Sequence, residues 1–329
     1  MNHITAKHPA TALGLYSGGL DSMLAALVLR RAGVAAQVVT FQSPFFAAEA
    51  ARRSALALDL PHHVVELGED YLAMVQHPPR GHGSQMNPCV DCHAFMLARA
   101  GRLMDELGLD FLFTGEVLGQ RPFSQNRGAL NAVANDSGYA DRLLRPLSAK
   151  LLPPTAMERA GLVERQLLQD ISGRGRKRQL ALAAELGLSD FPSPAGGCLL
   201  TEPGFSRRLR DLWGHEPQAG ADRIALLKLG RHLRLPAGAK LVVGRNEAEN
   251  QALEQAMPDG ALAMHTPEFN GPLALYFGPE HGPDLTLAAG LTAGYGQCAP
   301  GERALVALGD GRRLQVAAID RRKAQEMLL

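Results

Sequence analysis

A glycine-rich turn between a short apolar run and a helical pattern constrains the fold most. Residues 12–16 predict a buried strand, residues 23–31 predict a helix, and the turn between them is Ser17-Gly18-Gly19-Leu20-Asp21-Ser22. Glycines in such a turn let backbone N–H groups approach a phosphate, and the two serines add hydroxyl donors. A carboxylate repels a bare phosphate, so Asp21 is predicted to hold a Mg²⁺ ion that bridges phosphate oxygens. The turn therefore predicts a nucleotide phosphate site, with a plain connecting turn as the alternative.

Strand and helix signals alternate after this turn. Apolar runs at 37–41, 63–67 and 111–114 predict strands, and helical patterns cover 46–58, 92–107 and 177–186. Alternation of this kind is typical of the α/β class, a doubly wound parallel sheet that binds ligands at the carboxyl ends of its strands. The glycine-rich turn and the pair Thr114-Gly115 occupy that edge, and Phe41 is predicted to bind the nucleotide with them.

The remainder of the chain has a different pattern. Strands are predicted at 240–245, 273–277, 304–308 and 313–318, with a helix at 247–256. This order indicates a second, smaller α+β domain. We place the catalytic domain at residues 1–205, a linker at 206–220 and the second domain at 221–329.

Composition excludes several classes of protein. The 329 residues are 46% hydrophobic and 20% charged, as in a soluble protein of two domains. No apolar run approaches the roughly 20 residues that cross a bilayer. The first nine residues contain no apolar segment of a signal peptide, so we expect a cytoplasmic protein with no membrane partner.

Positive charge is concentrated in one region, although the net charge is only +1. Residues 145–210 contain 11 Lys and Arg against 6 Asp and Glu, and Arg174, Arg176, Lys177 and Arg178 supply four of the basic side chains. Such a segment either binds an anionic polymer or is the solvated start of a basic helix, and charge alone leaves both interpretations open.

Three of the four cysteines are candidates for one site. Cys89 and Cys92 form a CxxC pair at a loop-to-helix transition, where thiolates are favoured, and Cys198 follows two glycines. If both loops face the strand ends, three thiolates converge and could ligate a [4Fe–4S] cluster with one iron left open. A zinc site completed by His93 is the alternative, as is a buried, unreactive Cys198. Cys298 is predicted to be structural.

The glycine-rich turn matches the SGGxDS signature of the PP-loop ATP pyrophosphatases, and the Walker pattern is absent. Together with Asn87-Pro88-Cys89-x-x-Cys92 and Gly197-Cys198, it resembles the tRNA sulfurtransferases over about residues 10–205. Segments 114–125 and 145–150 are similar to 4-thiouridine synthases, and more distantly the chain resembles 2-thiouridylases. In the common bacterial 2-thiouridylases an Asp stands where this chain has Cys89, so the resemblance favours the three-cysteine, iron–sulfur subgroup.

The second domain resembles the RNA-binding module of the NFACT proteins. The resemblance rests on Gly244-Arg245-Asn246-Glu247-x-Glu249-Asn250 and on a later Asn270-Gly271-Pro272. It implies that Arg245 and Asn246 contact an RNA phosphate, as a turn that opens a helix can do. Residues 216–329 contain 12 basic and 13 acidic side chains, so RNA contact there would depend on a local patch.

These resemblances imply ATP-dependent thiolation of tRNA, with 4-thiouridine preferred over 2-thiouridine as the product. ATP would adenylate a uridine carbonyl oxygen, and sulfur would then replace it. Catalysis is predicted for Asp21, Cys89, Cys92 and Cys198. The residues predicted to bind ATP are Ser17, Gly18, Gly19, Asp21, Ser22, Phe41, Thr114 and Gly115, and those predicted to bind RNA are Arg174, Arg176, Lys177, Arg178, Arg245 and Asn246.

The implied cofactors are ATP, Mg²⁺ held by Asp21, and a [4Fe–4S] cluster or zinc held by the cysteines. The implied partners are tRNA, a sulfur donor (sulfide or a cysteine desulfurase) and a second copy of the chain in a homodimer. Three other functions stay open: a 2-thiouridylase that uses a cysteine persulfide, a PP-loop amide-forming synthetase, and an RNA-binding quality-control factor.

Overall fold

The structure is a computed structural model that describes residues 9–193 and 198–329. The chain divides into two compact units, Met1–Thr201 and Glu202–Leu329. The structure differs from the sequence analysis in the predicted linker, because a helix at Pro203–His215 covers most of residues 206–220. This helix belongs to the second unit and buries Phe205, Leu209, Leu212 and Trp213 along one face.

The first unit is a parallel sheet with helices. Its strands β1 to β5 are Thr11–Leu15, Ala35–Gln42, His62–Glu66, Phe111–Thr114 and Leu143–Leu144. Its helices α1 to α7 are Leu20–Arg31, Glu49–Ala57, Glu69–Gln76, Cys89–Glu106, Arg127–Ser137, Ala156–Arg159 and Lys177–Glu185. The strand order is β3-β2-β1-β4-β5 and every pair is parallel, which confirms the predicted doubly wound sheet.

The strand order reverses at β1, and this reversal positions the site. β2 and β3 lie on one side of β1, and β4 and β5 lie on the other. Ligands of open α/β sheets bind at such a reversal, beyond the carboxyl ends of the strands. β1 fits closely against β4, since a Cβ on Gly14 would lie 2.2 Å from the Phe113 ring. The glycine-rich turn leaves β1 at this point.

The second unit is an antiparallel sheet with helices. Its strands β6 to β11 are Arg231–Arg234, Lys240–Val243, Leu262–His265, Ala274–Phe277, Arg303–Leu308 and Arg313–Ala317. Its helices α8 to α11 are Pro203–His215, Ala221–Leu226, Glu247–Gln255 and Pro283–Tyr295. The strand order is β11-β10-β8-β9-β7-β6, which confirms the predicted α+β class.

Helix α11 packs on this sheet through its small residues. A Cβ on Gly294 would lie 1.8 Å from the carbonyl oxygen of Ile319, so only glycine allows the chain after β11 to pass so near. Ala288, Ala289 and Leu291 are fully buried. None of the described helices is both long and apolar enough to cross a membrane.

Candidate nucleotide and thiol site

The glycine-rich turn is tight, and its last three residues form the first turn of α1, which begins at Leu20. Gly18 has a φ of +73°, and a Cβ there would lie 2.7 Å from the Ala51 backbone of α2. Gly19 is the N-cap of α1. The Ser22 hydroxyl donates to the Gly19 carbonyl at 2.8 Å, and the Ser17 oxygen lies 3.4 Å from the Ser22 oxygen. The first N–H groups of a helix have no partner within it, so the start of α1 offers donors to an anion.

Asp21 has one satisfied and one unsatisfied carboxylate oxygen. Its Oδ2 accepts a hydrogen bond of 2.9 Å from Gln120 Nε2. Its Oδ1 is buried and has no hydrogen-bond partner among the described residues. Buried polar atoms of this kind are uncommon and call for an explanation. A hard cation such as Mg²⁺, which prefers carboxylate oxygens, fits this atom.

Gly115 lies directly against the backbone of Asp21. A Cβ on Gly115 would be 2.7 Å from the Asp21 carbonyl and from the Ser22 nitrogen. The loop after β4 therefore packs on the first turn of α1, and the two strand ends form one edge.

Gly115→Ala is expected to push these loops apart, to destabilise the first unit by about 1–3 kcal/mol and to weaken ATP binding. Gly175→Ala is the matched control, because a Cβ on Gly175 would meet no atom within 4 Å beyond its chain neighbours. Thermal unfolding and ATP titration of both variants measure the difference. Equal behaviour of the two variants would refute the close packing.

Thr114 and Phe41 lie at the same edge of the sheet, and both side chains are buried. The Thr114 hydroxyl donates to Glu116 Oε2 at 3.0 Å, and Phe41 is 5% exposed. Their nucleotide contacts, like those of the glycine-rich turn, stay predictions.

A buried ion-pair network follows β4. Glu116 Oε2 accepts from Arg145 Nε at 2.9 Å, and Oε1 lies 3.2 Å from His93 Nδ1. Burial tends to raise the pKa of Glu116, but Arg145 and His93 outweigh it and lower that pKa to about 2. Because His93 is the residue after Cys92, this network joins the thiol helix to the loop that packs on Asp21.

Helix α4 begins at Cys89, which confirms the predicted loop-to-helix transition. The Cys89 sulfur accepts from Asn87 Nδ2 at 3.3 Å. The Cys92 sulfur lies 3.2 Å from the hydroxyl of Tyr71, which is fully buried. Burial raises the pKa of Cys92 to about 12, and the neighbouring Cys198 and Cys89 add to the rise.

Cys198 lies in the same neighbourhood as the CxxC pair. The next residue, Leu199, donates its N–H to the Phe45 carbonyl at 3.3 Å, and the Phe45 ring lies 6.3 Å from the Tyr71 ring. Burial raises the pKa of Cys198 to about 11, and Cys89 contributes to it electrostatically. Cys89 and Cys198 thus both act electrostatically on Cys92. Within residues 9–193 and 198–329, however, no group of three His, Cys, Asp or Glu side chains is arranged to hold a metal ion. Gly197 lies outside the described residues.

The basic segment at residues 174–178 begins beside the loop after β4, whose Gln120 donates a hydrogen bond to Asp21. Gly173 N donates to the Leu118 carbonyl at 2.8 Å, two residues before Gln120. Arg178 forms an ion pair with Asp170. In the described part of the chain, Arg174, Arg176 and Lys177 form no ion pair with a carboxylate. They surround the start of α7, whose first turn contains no acidic residue.

The predicted RNA contacts of the second unit lie at the start of α10. Asn246 is the N-cap, and its side chain accepts from Glu249 N at 3.0 Å. Arg245 Nε donates to both carboxylate oxygens of Glu249 at 2.9 Å. Both predicted side chains thus have partners inside their own turn.

Sequence reasoning missed several residues of the site. Gln120, Glu116 and Arg145 lie in segments that it singled out, but their pairing with Asp21 and His93 depends on the fold. Tyr71 gave no signal, because its helix α3 was not predicted.

Known protein families match a part of each unit. Residues 230–327 match the family model of the NFACT protein RNA binding domain, and residues 11–99 match a family of unknown function, DUF7411. The tRNA-specific 2-thiouridylase MnmA of Syntrophotalea carbinolica is 36% identical over 124 residues, 33% of this chain and 34% of that protein. The chain thus spans about a third of the length of this relative.

Two solved structures show partial likeness. A predicted subunit of tRNA methyltransferase from Methanocaldococcus jannaschii has a TM-score of 0.35 at 18% identity, over 54% of this chain and 76% of that one. A 4-thiouridine synthetase, in complex with RNA and bound ATP, has a TM-score of 0.36 at 20% identity, over 54% of this chain and 52% of that one. The chain is thus similar over 124 residues to a tRNA-specific 2-thiouridylase, and its residues 230–327 match the family model of the NFACT protein RNA binding domain.

Proposed function

We propose that the chain is an ATP-dependent tRNA sulfurtransferase that replaces a uridine carbonyl oxygen by sulfur. One observation carries the proposal: the thiols and the glycine-rich turn share one sheet edge. His93, beside Cys92, hydrogen-bonds Glu116, and the residue before Glu116 packs on the Asp21 backbone. The adenylated oxygen and the incoming sulfur must be bonded to the same carbon atom of the uridine, so the two sites have to lie close together. The shared sheet edge supports the proposal for this reason.

The first half of the reaction is activation of the uridine. Its carbonyl oxygen attacks the α-phosphate of ATP, an O–P bond forms, and pyrophosphate leaves with the electron pair. The turn's N–H groups and the hydroxyls of Ser17 and Ser22 would hold the phosphates. Asp21 would hold Mg²⁺ through its unpartnered Oδ1, and the bound ion would neutralise negative charge on the pyrophosphate.

The second half is substitution at the activated carbon. A C–S bond forms, the C–O bond breaks, and AMP leaves with the electron pair. Cys89, Cys92 and Cys198 would hold the metal group, since cysteine thiolates are the usual ligands of iron–sulfur clusters. A cluster with three cysteine ligands would supply an iron with a free position for sulfide. Zinc is the second candidate, because a carboxylate on His93 Nδ1 is typical of metal-ligating histidines.

The basic segment supports a tRNA partner. Arg174, Arg176 and Lys177 lie at the N-terminal end of α7, where the helix dipole disfavours positive charge by about 0.3–1 kcal/mol per residue. They are therefore unfavourable for the helix itself, and an RNA backbone would compensate the charge. The match of residues 230–327 to an RNA-binding family supports a second contact.

Two resemblances bear on which uridine oxygen is replaced. Segment 114–125 resembles 4-thiouridine synthases, so we propose O4 as the oxygen replaced. The similarity to a 2-thiouridylase makes O2 the second candidate.

Incubation with ATP, tRNA and sulfide in the absence of oxygen tests the function. We expect pyrophosphate release that requires tRNA, and 4-thiouridine in the digested tRNA by mass spectrometry.

Appearance of 2-thiouridine would select the second candidate. Pyrophosphate release without tRNA would instead indicate another acceptor, as in an amide-forming synthetase. Tight tRNA binding without pyrophosphate release would indicate an RNA-binding factor. Iron and zinc contents of the same preparation distinguish the two metal groups.

Cys198→Ala is expected to reduce thiolation below detection and to leave ATP binding unchanged. The substitution removes one ligand of the proposed metal group and leaves the glycine-rich turn intact. Cys298→Ala is the matched control, since Cys298 is another free cysteine but lies in the second unit beside Glu302. Thiolation by the Cys298→Ala variant should equal that of the unmodified chain. Undiminished thiolation by Cys198→Ala would exclude Cys198 as a ligand.

A further inference from the structure

We propose that a groove of the second unit binds a single-stranded segment of RNA, with phosphates held by Arg231, Arg321 and Arg322 and an unpaired base beside Tyr295. We call this surface the arginine groove. The inference rests on the RNA-binding part of the proposed function and does not depend on thiolation. It places the contact on side chains other than Arg245 and Asn246.

The arginine groove consists of two adjoining depressions with volumes of about 540 Å³ and 430 Å³. Arg231, Tyr295 and Arg321 border both, so the depressions are continuous. Sites of roughly 300–1,000 Å³ hold small-molecule ligands, so each depression is of a size for one or two nucleotides. A depression of either volume is too small to take up an A-form duplex, whereas it can take up a base or a phosphate of a single strand.

Positive charge is concentrated at this groove. Four arginines and two carboxylates, Asp320 and Glu247, border it, whereas residues 216–329 as a whole contain 12 basic and 13 acidic side chains. Arg245 is occupied by Glu249. In the described ranges, no carboxylate forms an ion pair with Arg231, Arg321 or Arg322. Unpaired like charges at one rim repel each other, and a phosphate backbone would relieve this repulsion.

Tyr295 gives the groove an aromatic surface. The Arg231 guanidinium lies 5.2 Å from the centroid of the Tyr295 ring, and the ring is half-buried. Both a tyrosine ring and an arginine plane can stack on an unpaired base, whose face is hidden in a duplex. This favours a loop or an end of an RNA over a helical stem.

The wall of the second depression is held in place before any ligand binds. Asn250 Oδ1 accepts from Leu273 N at 3.0 Å, and Gly244 N donates to the Leu273 carbonyl at 3.0 Å. A Cβ on Gly244 would lie 2.1 Å from Asn250 Oδ1, so any larger residue there would displace the Asn250 side chain from Leu273. A fixed wall spares the ligand the entropic cost of ordering it.

Fluorescence anisotropy of the full chain tests the proposal, with a labelled oligouridylate as the single strand and a labelled hairpin stem as the duplex. We expect the oligouridylate to bind at least about tenfold more tightly than the stem. In Arg321→Gln/Arg322→Gln, loss of two phosphate contacts should weaken binding about tenfold or more and reduce the slope of log affinity against log salt by about 1.4. Tyr295→Leu should weaken it about five- to a hundredfold, and Tyr295→Phe should restore stacking.

Arg313→Gln is the matched control, because Arg313 is an exposed arginine at the start of β11 and does not border the groove. Its affinity and salt slope should equal those of the unmodified chain. Equal binding of stem and oligouridylate, or an unchanged affinity in the double arginine variant, would overturn the proposal. This assay contains no ATP or sulfide. Thiolation without oligouridylate binding would refute only the arginine groove, and oligouridylate binding without thiolation would refute only the sulfurtransferase.

Discussion

Replacing Asp21 by Asn is expected to lower tRNA-dependent pyrophosphate release by on the order of a hundred- to a thousandfold. The buried Oδ1 of Asp21 has no partner among the described residues, and Asn would remove the negative charge that attracts Mg²⁺ there. The amide oxygen of Asn can still accept the hydrogen bond from Gln120, so the loop after β4 should keep its position. The initial rate of pyrophosphate release, measured as a function of Mg²⁺ concentration, provides the test.

Glu49→Gln supplies the control for this experiment. Glu49 is an exposed carboxylate in the first turn of α2, and its loss changes the net charge of the unit by the same amount. We expect the Glu49→Gln variant to release pyrophosphate at the normal rate. If Asp21→Asn also kept the normal rate at every Mg²⁺ concentration, Asp21 would not hold the ion.

Glu116→Gln is expected to destabilise the first unit by about 3–5 kcal/mol, because it leaves the buried guanidinium of Arg145 without its charge partner. Glu185→Gln is the matched control. It breaks an ion pair with Arg31 in which both side chains are exposed, and such pairs contribute less than about 1 kcal/mol. Amide hydrogen exchange of β1 and β4 measures the loss of stability of the first unit in both variants. Tryptophan fluorescence would not report on this unit, because the single tryptophan, Trp213, lies in the second unit. Equal losses in the two variants would show that burial of the Glu116 pair has no effect.

The same substitution has a defined pH dependence. The pKa of Glu116 is lowered from 4.5 to about 2, so its ion pair stabilises the folded unit above about pH 4.5. That contribution is lost as the pH falls from about 4.5 to about 2, where Glu116 becomes protonated. Gln does not titrate, so the difference in stability between the unmodified chain and Glu116→Gln should shrink through this window. A constant difference would contradict the lowered pKa.

Local sequence signals were sufficient where neighbours along the chain determine the structure. The glycine-rich turn and the loop-to-helix transition at the CxxC pair were predicted, because glycine conformation and helix initiation depend on a few adjacent residues. The helices begin three residues earlier than the predicted 23 and 92, at Leu20 and Cys89. The parallel sheet followed from the alternation of strands and helices, which admits few other arrangements.

Three helices of the second unit, α8, α9 and α11, were missed, and two of these misses have distinct physical reasons. Helix α8 has a clear apolar face, but it follows a stretch rich in Pro and Gly that indicated a linker. Helix α11 is apolar on all sides, so it has no periodicity to detect, and its glycines are explained only by the close passage of the chain near Ile319.

The sequence by itself determined a glycine-rich turn between a strand and a helix, a pair of cysteines at a helix start, a third cysteine, and two classes of domain. Only the tertiary structure decided that Asp21 keeps one oxygen unpartnered among the described residues, that Glu116 joins His93 to Arg145, and that Arg231, Arg321 and Arg322 border one groove. The physical reason is the distance along the chain. Loops and helix starts form from neighbouring residues, whereas burial and ion pairing depend on residues brought together from distant segments.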